Sequence, residues 1–95
     1  MSAYWICVYK AVHDPEKVAA YAELAGPAMR SAGGRFRARG NPAVTFEKGE
    51  STRTVVIEFE SVEAAVAAHD SEGYQEALRA LGDGADRDLR VVPGA

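Results

Sequence analysis

Three arginines, Arg35, Arg37 and Arg39, stand at alternate positions after a double glycine in the stretch GGRFRARGN. On a strand, alternate side chains share a face. Guanidinium forks match carboxylates and phosphates, so the row reads either as an anion-binding site or as a solvated, internally paired sheet face. Glu58, in a later strand-like run, is a base if buried and an ion-pair partner otherwise. His69 titrates near neutrality and suits proton transfer beside a cavity; the alternative is a helix-end imidazole held by the macrodipole. Trp5 and Tyr9 share one parity and could wall a small-molecule pocket or pack in a dimer core. Tyr74 reads as a helix-to-sheet anchor or a ligand contact. The acid/base candidates are thus His69 and Glu58, and the ligand-binding candidates are Trp5, Tyr9, Arg37, Arg39 and Tyr74.

Other chemistries lack their residues. Cys7 is the sole cysteine, so no intramolecular disulfide forms and a reducing compartment fits. No base or positive field is visible near it in sequence, and it reads as an inert buried thiol. His13 and His69 show no metal-ligand spacing, and GDGAD at 82–86 lacks the spacing of a calcium loop. There is no G-x-G-x-x-G, P-loop or G-x-S-x-G motif. No metal and no cofactor is expected. A net charge of −3 argues against a general nucleic-acid binder. No apolar run approaches the ~20 residues of a membrane span. The N-terminal MSAYWICVYK has no basic lead before an apolar segment, which predicts a cytoplasmic protein.

The elements that must position these groups follow from periodicity. Ala3–Lys10 is apolar on both parities and predicts a strand covered on both sides. Asp14 is an N-cap, Pro15 suits the first helical position, and Glu16 lies in the first turn. Val18, Tyr21, Ala22, Ala25, Met29 and Ala32 then form a helical stripe, interrupted by Gly26-Pro27 with an expected kink. Gly33-Gly34 end that helix. Alternation from Arg35 to Glu47 predicts one long bent strand, a tight turn in KGES with Gly49 at positive φ, and a third strand in TRTVVIEFE. Ser61 caps a second helix; Asp70-Ser71 break it, and Ser71 caps a continuation through Tyr74, Ala77, Leu78 and Leu81. DRDLRVVP is the last strand, with Leu89 and Val91 on one parity.

Ninety-five residues in the order β-α-β-β-α-β predict one α+β domain. It is the ferredoxin-like arrangement, a four-stranded antiparallel sheet with its helices on one face. A chain this short buries only about 60–65% of its unfolded surface. The helices cover one sheet face, yet the first strand requires cover on both. A homodimer joined sheet to sheet meets both needs.

The segments AYWI (3–6), DPEKVAAYAELAGPAM (14–29), GGRFRARG (33–40), VVIEFES (55–61) and SEGYQEAL (71–78) resemble the domain of unknown function 1330 family, in that family's order. The resemblance implies the dimeric α/β-barrel superfamily and small bacterial dimers with a cavity between sheet and helices. It implies no reaction. This chain departs from the family pattern at Asn41, at Ala68-His69 and at Glu72-Gly73.

A hairpin turning at Gly49-Glu50 sets Val44 opposite Val55, Gly40 opposite Phe59, Arg39 opposite Glu60 and Asn41 opposite Glu58. Arg39 then has a cross-strand partner in Glu60, or diagonally in Glu58. Arg35 is solvated, and Arg37 is left needing an acid or an anionic ligand if the dimer closes over it. Phe36 and Ala38 lie under the helices. Three functions remain: a small-molecule-binding or interaction module without catalysis; a cofactor-independent isomerase or monooxygenase acting on a small anionic or aromatic compound; and a haem-handling role, which requires His69 to reach the cavity.

Overall fold

The computed structural model describes residues 1–95. The order is β1 (Ala3–Val12), α1 (Pro15–Ser31), β2 (Arg35–Gly40), β3 (Thr54–Phe59), α2 (Val62–His69), α3 (Glu72–Leu81) and β4 (Ala85–Pro93). The strands form one antiparallel sheet in the order β2-β3-β1-β4. This is the ferredoxin-like α+β fold, and within one chain the sheet stays open rather than closing into a barrel. No helix is long and apolar enough to cross a membrane.

The helix boundaries have local causes. Asp14 Oδ1 accepts from the Glu16 and Lys17 amides, and Pro15 spends no donor at N1. The α1 helix runs continuously through Pro27. It ends in a Schellman pair: the Gly33 amide bonds to the Arg30 carbonyl at 3.0 Å, and the Gly34 amide to the Met29 carbonyl at 2.8 Å. Gly33 takes φ +91°, and a Cβ on Gly34 would stand 2.9 Å from Ile57, Phe59 and the Met29 carbonyl. Gly34→Ala should therefore force the β2 start off the core and cost about 1–3 kcal/mol, measurable by urea unfolding. Ser61 and Ser71 cap α2 and α3 through the Ala64 and Tyr74 amides.

One buried cluster holds Trp5, Cys7 and Tyr9 of β1, Ile57 and Phe59 of β3, Tyr21, Ala25 and Met29 of α1, and Ala65, Ala68, Tyr74, Ala77 and Leu81 of α2 and α3. The odd residues of β1 therefore face the helices. Trp5, Cys7 and Tyr9 pack in the chain's own core, which corrects the assignment of Trp5 and Tyr9 to a dimer core. The opposite face carries Tyr4, Ile6 and Val8, paired with Glu58, Val56 and Thr54 on one side and with Val92, Arg90 and Asp88 on the other. It is uncovered in the single chain, and Ile6 and Val8 remain partly exposed on it.

The region after β2 differs from the sequence expectation. β2 stops at Gly40, at φ +152°, and residues 41–53 form a loop rather than a strand. Pro42 has no amide for a ladder. The apolar residues that continued the alternation, Val44 and Phe46, are exposed. The turn within the loop closes from the Gly49 amide to the Phe46 carbonyl, and Glu47, not Gly49, takes the positive φ. The β2–β3 register consequently slides: Arg35 stands opposite Glu58, Phe36 opposite Ile57 and Arg39 opposite Val55. The expected pairing of Arg39 with Glu60 or Glu58 does not form.

A cavity with two arginines

A bulge between Phe36 and Ala38 decides where the arginines go. Partners opposite one another in a ladder share a face, so Arg35 joins Glu58 on the open face and Phe36 joins Ile57 on the helix face. The extra residue of a bulge shifts the parity that follows. Ala38, opposite Val56, lies on the open face, not under the helices, and Arg39, opposite Val55, lies on the helix face. The row of three is split between the two sides of the sheet.

On the open face, Arg37 Nε donates to Glu58 Oε1 at 2.8 Å, and Arg35 approaches Glu58 Oε2 to 3.7 Å. Arg35 is thus a partner of Glu58 as well as solvated. Ser2 Oγ donates to Glu58 Oε2 at 2.7 Å. The Ser2 and Arg37 hydrogen bonds hold the Glu58 carboxyl below its ordinary range. A carboxylate depressed in the folded state stabilises above the unfolded pKa of about 4.3 and loses that contribution as pH falls through the lower folded value. Acid unfolding followed below about pH 4.5 should be shallower in Glu58→Gln than in the parent. The lowered pKa leaves Glu58 ionised but a weakened base, and it lies on the wrong side of the sheet for the cavity.

On the helix face, α1 stands off β2 and β3 and leaves a cavity of about 280 Å³. Its size follows from composition: α1 offers Ala19, Ala22, Ala25 and Gly26 toward it, while Val55 and Ile57 form the floor. Trp5 and Tyr9 are on its wall. Arg39 and Arg53 are its sole charged lining residues. Neither has a carboxylate partner; Arg39 lies over the Phe36 ring at 5.0 Å. Both are exposed, so in the free chain water solvates them.

Besides Glu58, three candidates lie outside this wall. Arg37 is engaged on the other face. Tyr74 sits behind Trp5, ring edge to face at 5.1 Å, with its hydroxyl 2.8 Å from that of Tyr21. His69 packs its ring 5.9 Å from Trp5 and pairs Nδ1 with Asp70 at 3.0 Å. It does not border the cavity. Cys7 lines it, but burial pushes its thiol pKa up, away from the nucleophilic thiolate. No cluster of three or more His, Cys, Asp or Glu side chains forms a metal cage.

Sequence reasoning passed over Arg53, Tyr21 and Arg87. Arg87 lies opposite Tyr9 on β4, facing the helices. It donates to Tyr21 Oη at 2.9 Å, to Tyr74 Oη at 3.4 Å and to Cys7 Sγ at 3.7 Å. The signal for it was available: Arg87 shares the parity of Leu89 and Val91, so a cation stood on the apolar face of that strand.

The sequence profile for a domain of unknown function, DUF1330, matches residues 2–95. The chain belongs to the DUF1330 family. No curated protein matches it. Among solved structures, this DUF1330 chain is similar to RPA0582, a protein of unknown function from Rhodopseudomonas palustris. The TM-score is 0.72 at 19% identity, over 99% of this chain and 82% of the other. A dimeric ferredoxin-like protein of unknown function from Jannaschia sp. CCS1 gives 0.71 at 13%, over 99% and 100%. SnoaB, a cofactor-independent oxygenase from Streptomyces nogalater, gives 0.69 at 11%, over 99% and 93%. At these identities the likeness establishes the fold of the DUF1330 chain and not its activity.

Proposed function

We propose that this protein is a homodimeric small-molecule-binding protein. Its ligand is a small, largely apolar or aromatic anion held in the cavity beneath α1. The observation that carries this reading is the lining: an apolar chamber whose charged groups are two arginines without acidic partners. Apolar walls with a few convergent polar groups are the usual form of a ligand site. The volume suits roughly one substituted ring. Arg39 and Arg53 lie at one end of the sheet, Arg39 opposite Val55 and Arg53 at the Tyr9 amide, where they can share one carboxylate. Trp5 and Tyr9 would contact the ring.

The open sheet face supports the dimer. Tyr4, Ile6, Val8, Val56 and Val92 form an apolar strip flanked by Glu58–Arg37 and Asp88–Arg90 pairs. A second copy covers it, as expected for a short chain with a marginal core. A reducing, cytoplasmic setting suits the single buried thiol.

A thermal-shift panel of small aromatic and aliphatic carboxylates tests the reading. Benzoate at a hundredfold its Kd should add about 2.7 kcal/mol, raising Tm by roughly 10 °C or more in a domain of this size. Arg39→Ala and Arg53→Ala should each weaken binding on the order of tenfold, about 1.4 kcal/mol. A panel with no shift for any carboxylate would contradict the proposal.

The cofactor-independent oxygenase reading is favoured by one observation, the fold likeness to SnoaB. It draws no support from His69 or Glu58, neither of which borders the cavity.

A further inference from the structure

The two phenols and the guanidinium beside the cavity can be counted for protons. Arg87 only donates, and it gives one hydrogen bond to Tyr21 Oη and one to Tyr74 Oη. The two hydroxyls are 2.8 Å apart, so one donates to the other. Whichever phenol accepts is left with its own proton unspent. If Tyr21 donated, Tyr74 would carry a spare O–H with no acceptor, since its hydroxyl has Tyr21 and Arg87 as partners and the residue is 0% exposed. A buried donor without a partner is costly. If Tyr74 donates, the spare proton belongs to Tyr21, which borders the cavity and is 8% exposed. The second arrangement places the free donor where an occupant can take it.

The charge around the group agrees. Arg87 is half-buried with no ion-pair partner: its neighbours Asp86 and Asp88 are committed to His13 and Arg90. The guanidinium lies over the Tyr21 ring at 4.6 Å. A cation and a second donor on one phenol oxygen polarise its O–H without removing the proton. Burial, followed by the neighbouring Tyr74, pushes the Tyr21 pKa well up, so the phenol stays a neutral donor at neutral pH.

We infer that Tyr21 donates its phenolic proton to an oxygen acceptor on the cavity's occupant, with Arg87 and Tyr74 as positioning residues that fix it as a donor. The ligand class narrows to an apolar or aromatic acid with a second oxygen, a carbonyl or an oxyanion, besides its carboxylate. This rests on the binding reading above and adds a polar group on the α1 side to the arginines at the edge.

The test compares benzoate with meta- and para-acetylbenzoate, which add a carbonyl acceptor. One acetyl isomer should bind the native protein about tenfold more tightly than benzoate, and its carbonyl stretching band should move to lower frequency on binding. In Tyr21→Phe the band shift should vanish and the acetyl isomer should bind no more tightly than benzoate. Arg87→Gln should shrink the band shift. Tyr74→Phe separates the two proton arrangements: the advantage persists if Tyr74 donates, and grows if Tyr21 had been donating to Tyr74, which would overturn the assignment. Should Tyr21→Phe fail to fold, an unshifted carbonyl band in the native protein would itself overturn it. If benzoate binds but neither isomer gains, the Tyr21 proposal fails and the cavity reading stands; if benzoate does not bind at all, both fail.

Discussion

Ile6→Asp is expected to convert the proposed homodimer into a monomer and to lower its unfolding temperature sharply. Ile6 lies mid-strand on the uncovered sheet face, between Val56 and Arg90. On a solvated face, a polar substitution stays within about 0.5 kcal/mol. At a sheet-to-sheet interface, each copy brings one unpaired carboxylate into apolar surroundings, at several kcal/mol per ion. A loss of about 4.1 kcal/mol already weakens association a thousandfold. Light scattering at micromolar concentration should therefore show twice the 10.1 kDa chain mass for the parent and the chain mass for the variant. Retention of the parent's mass in Ile6→Asp, or a monomeric parent, would refute the interface.

Ala25→Leu should abolish ligand binding while leaving the fold intact. Ala25 is buried on α1 and borders the cavity, so three added carbons enter empty space of about 280 Å³. Overpacking a filled core costs roughly 1–3 kcal/mol, whereas a side chain extending into the open chamber meets no such crowding. The balance predicts a Tm near or above the parent's and a benzoate-induced shift reduced from roughly 10 °C to near zero. The combination matters: a destabilised variant that loses binding would report damage, while a stable one that loses binding reports occupancy of the space.

These tests bear on groups that the sequence revealed unevenly. Helix ends were legible because their chemistry is local: Asp14, Ser61 and Ser71 each cap through a nearby amide. The family was legible because its segments run the length of the chain. The faces of β1 were not, since Tyr4-Ile6-Val8 and Trp5-Cys7-Tyr9 are equally apolar and only packing tells them apart. The fate of the arginine row was hidden for a different reason. Arg-Phe-Arg-Ala-Arg alternates perfectly with or without a bulge, and a single extra residue moves Arg39 through the sheet. Val44 and Phe46 continued the alternation into a loop, which moved the partner of Arg39 from the expected Glu60 to Val55. Glu58 was expected near the arginines and is, but with Arg37 and Arg35 instead of Arg39. Arg87 and Tyr74 come from the consecutive elements β4 and α3, but Tyr21 comes from α1, more than fifty residues before either, so the trio meets only through the fold.

The central claim is that the chamber beneath α1 binds a small organic anion. Its most direct test is a benzoate titration followed by amide chemical shifts in the isotope-labelled protein. Saturable shifts centred on Ala25, Met29, Phe36, Val55 and the Arg39 and Arg53 amides, lost in an Arg39→Ala/Arg53→Ala double variant, are the predicted result. Shifts confined to the open face around Ile6 and Val56, or none at millimolar benzoate, would contradict it.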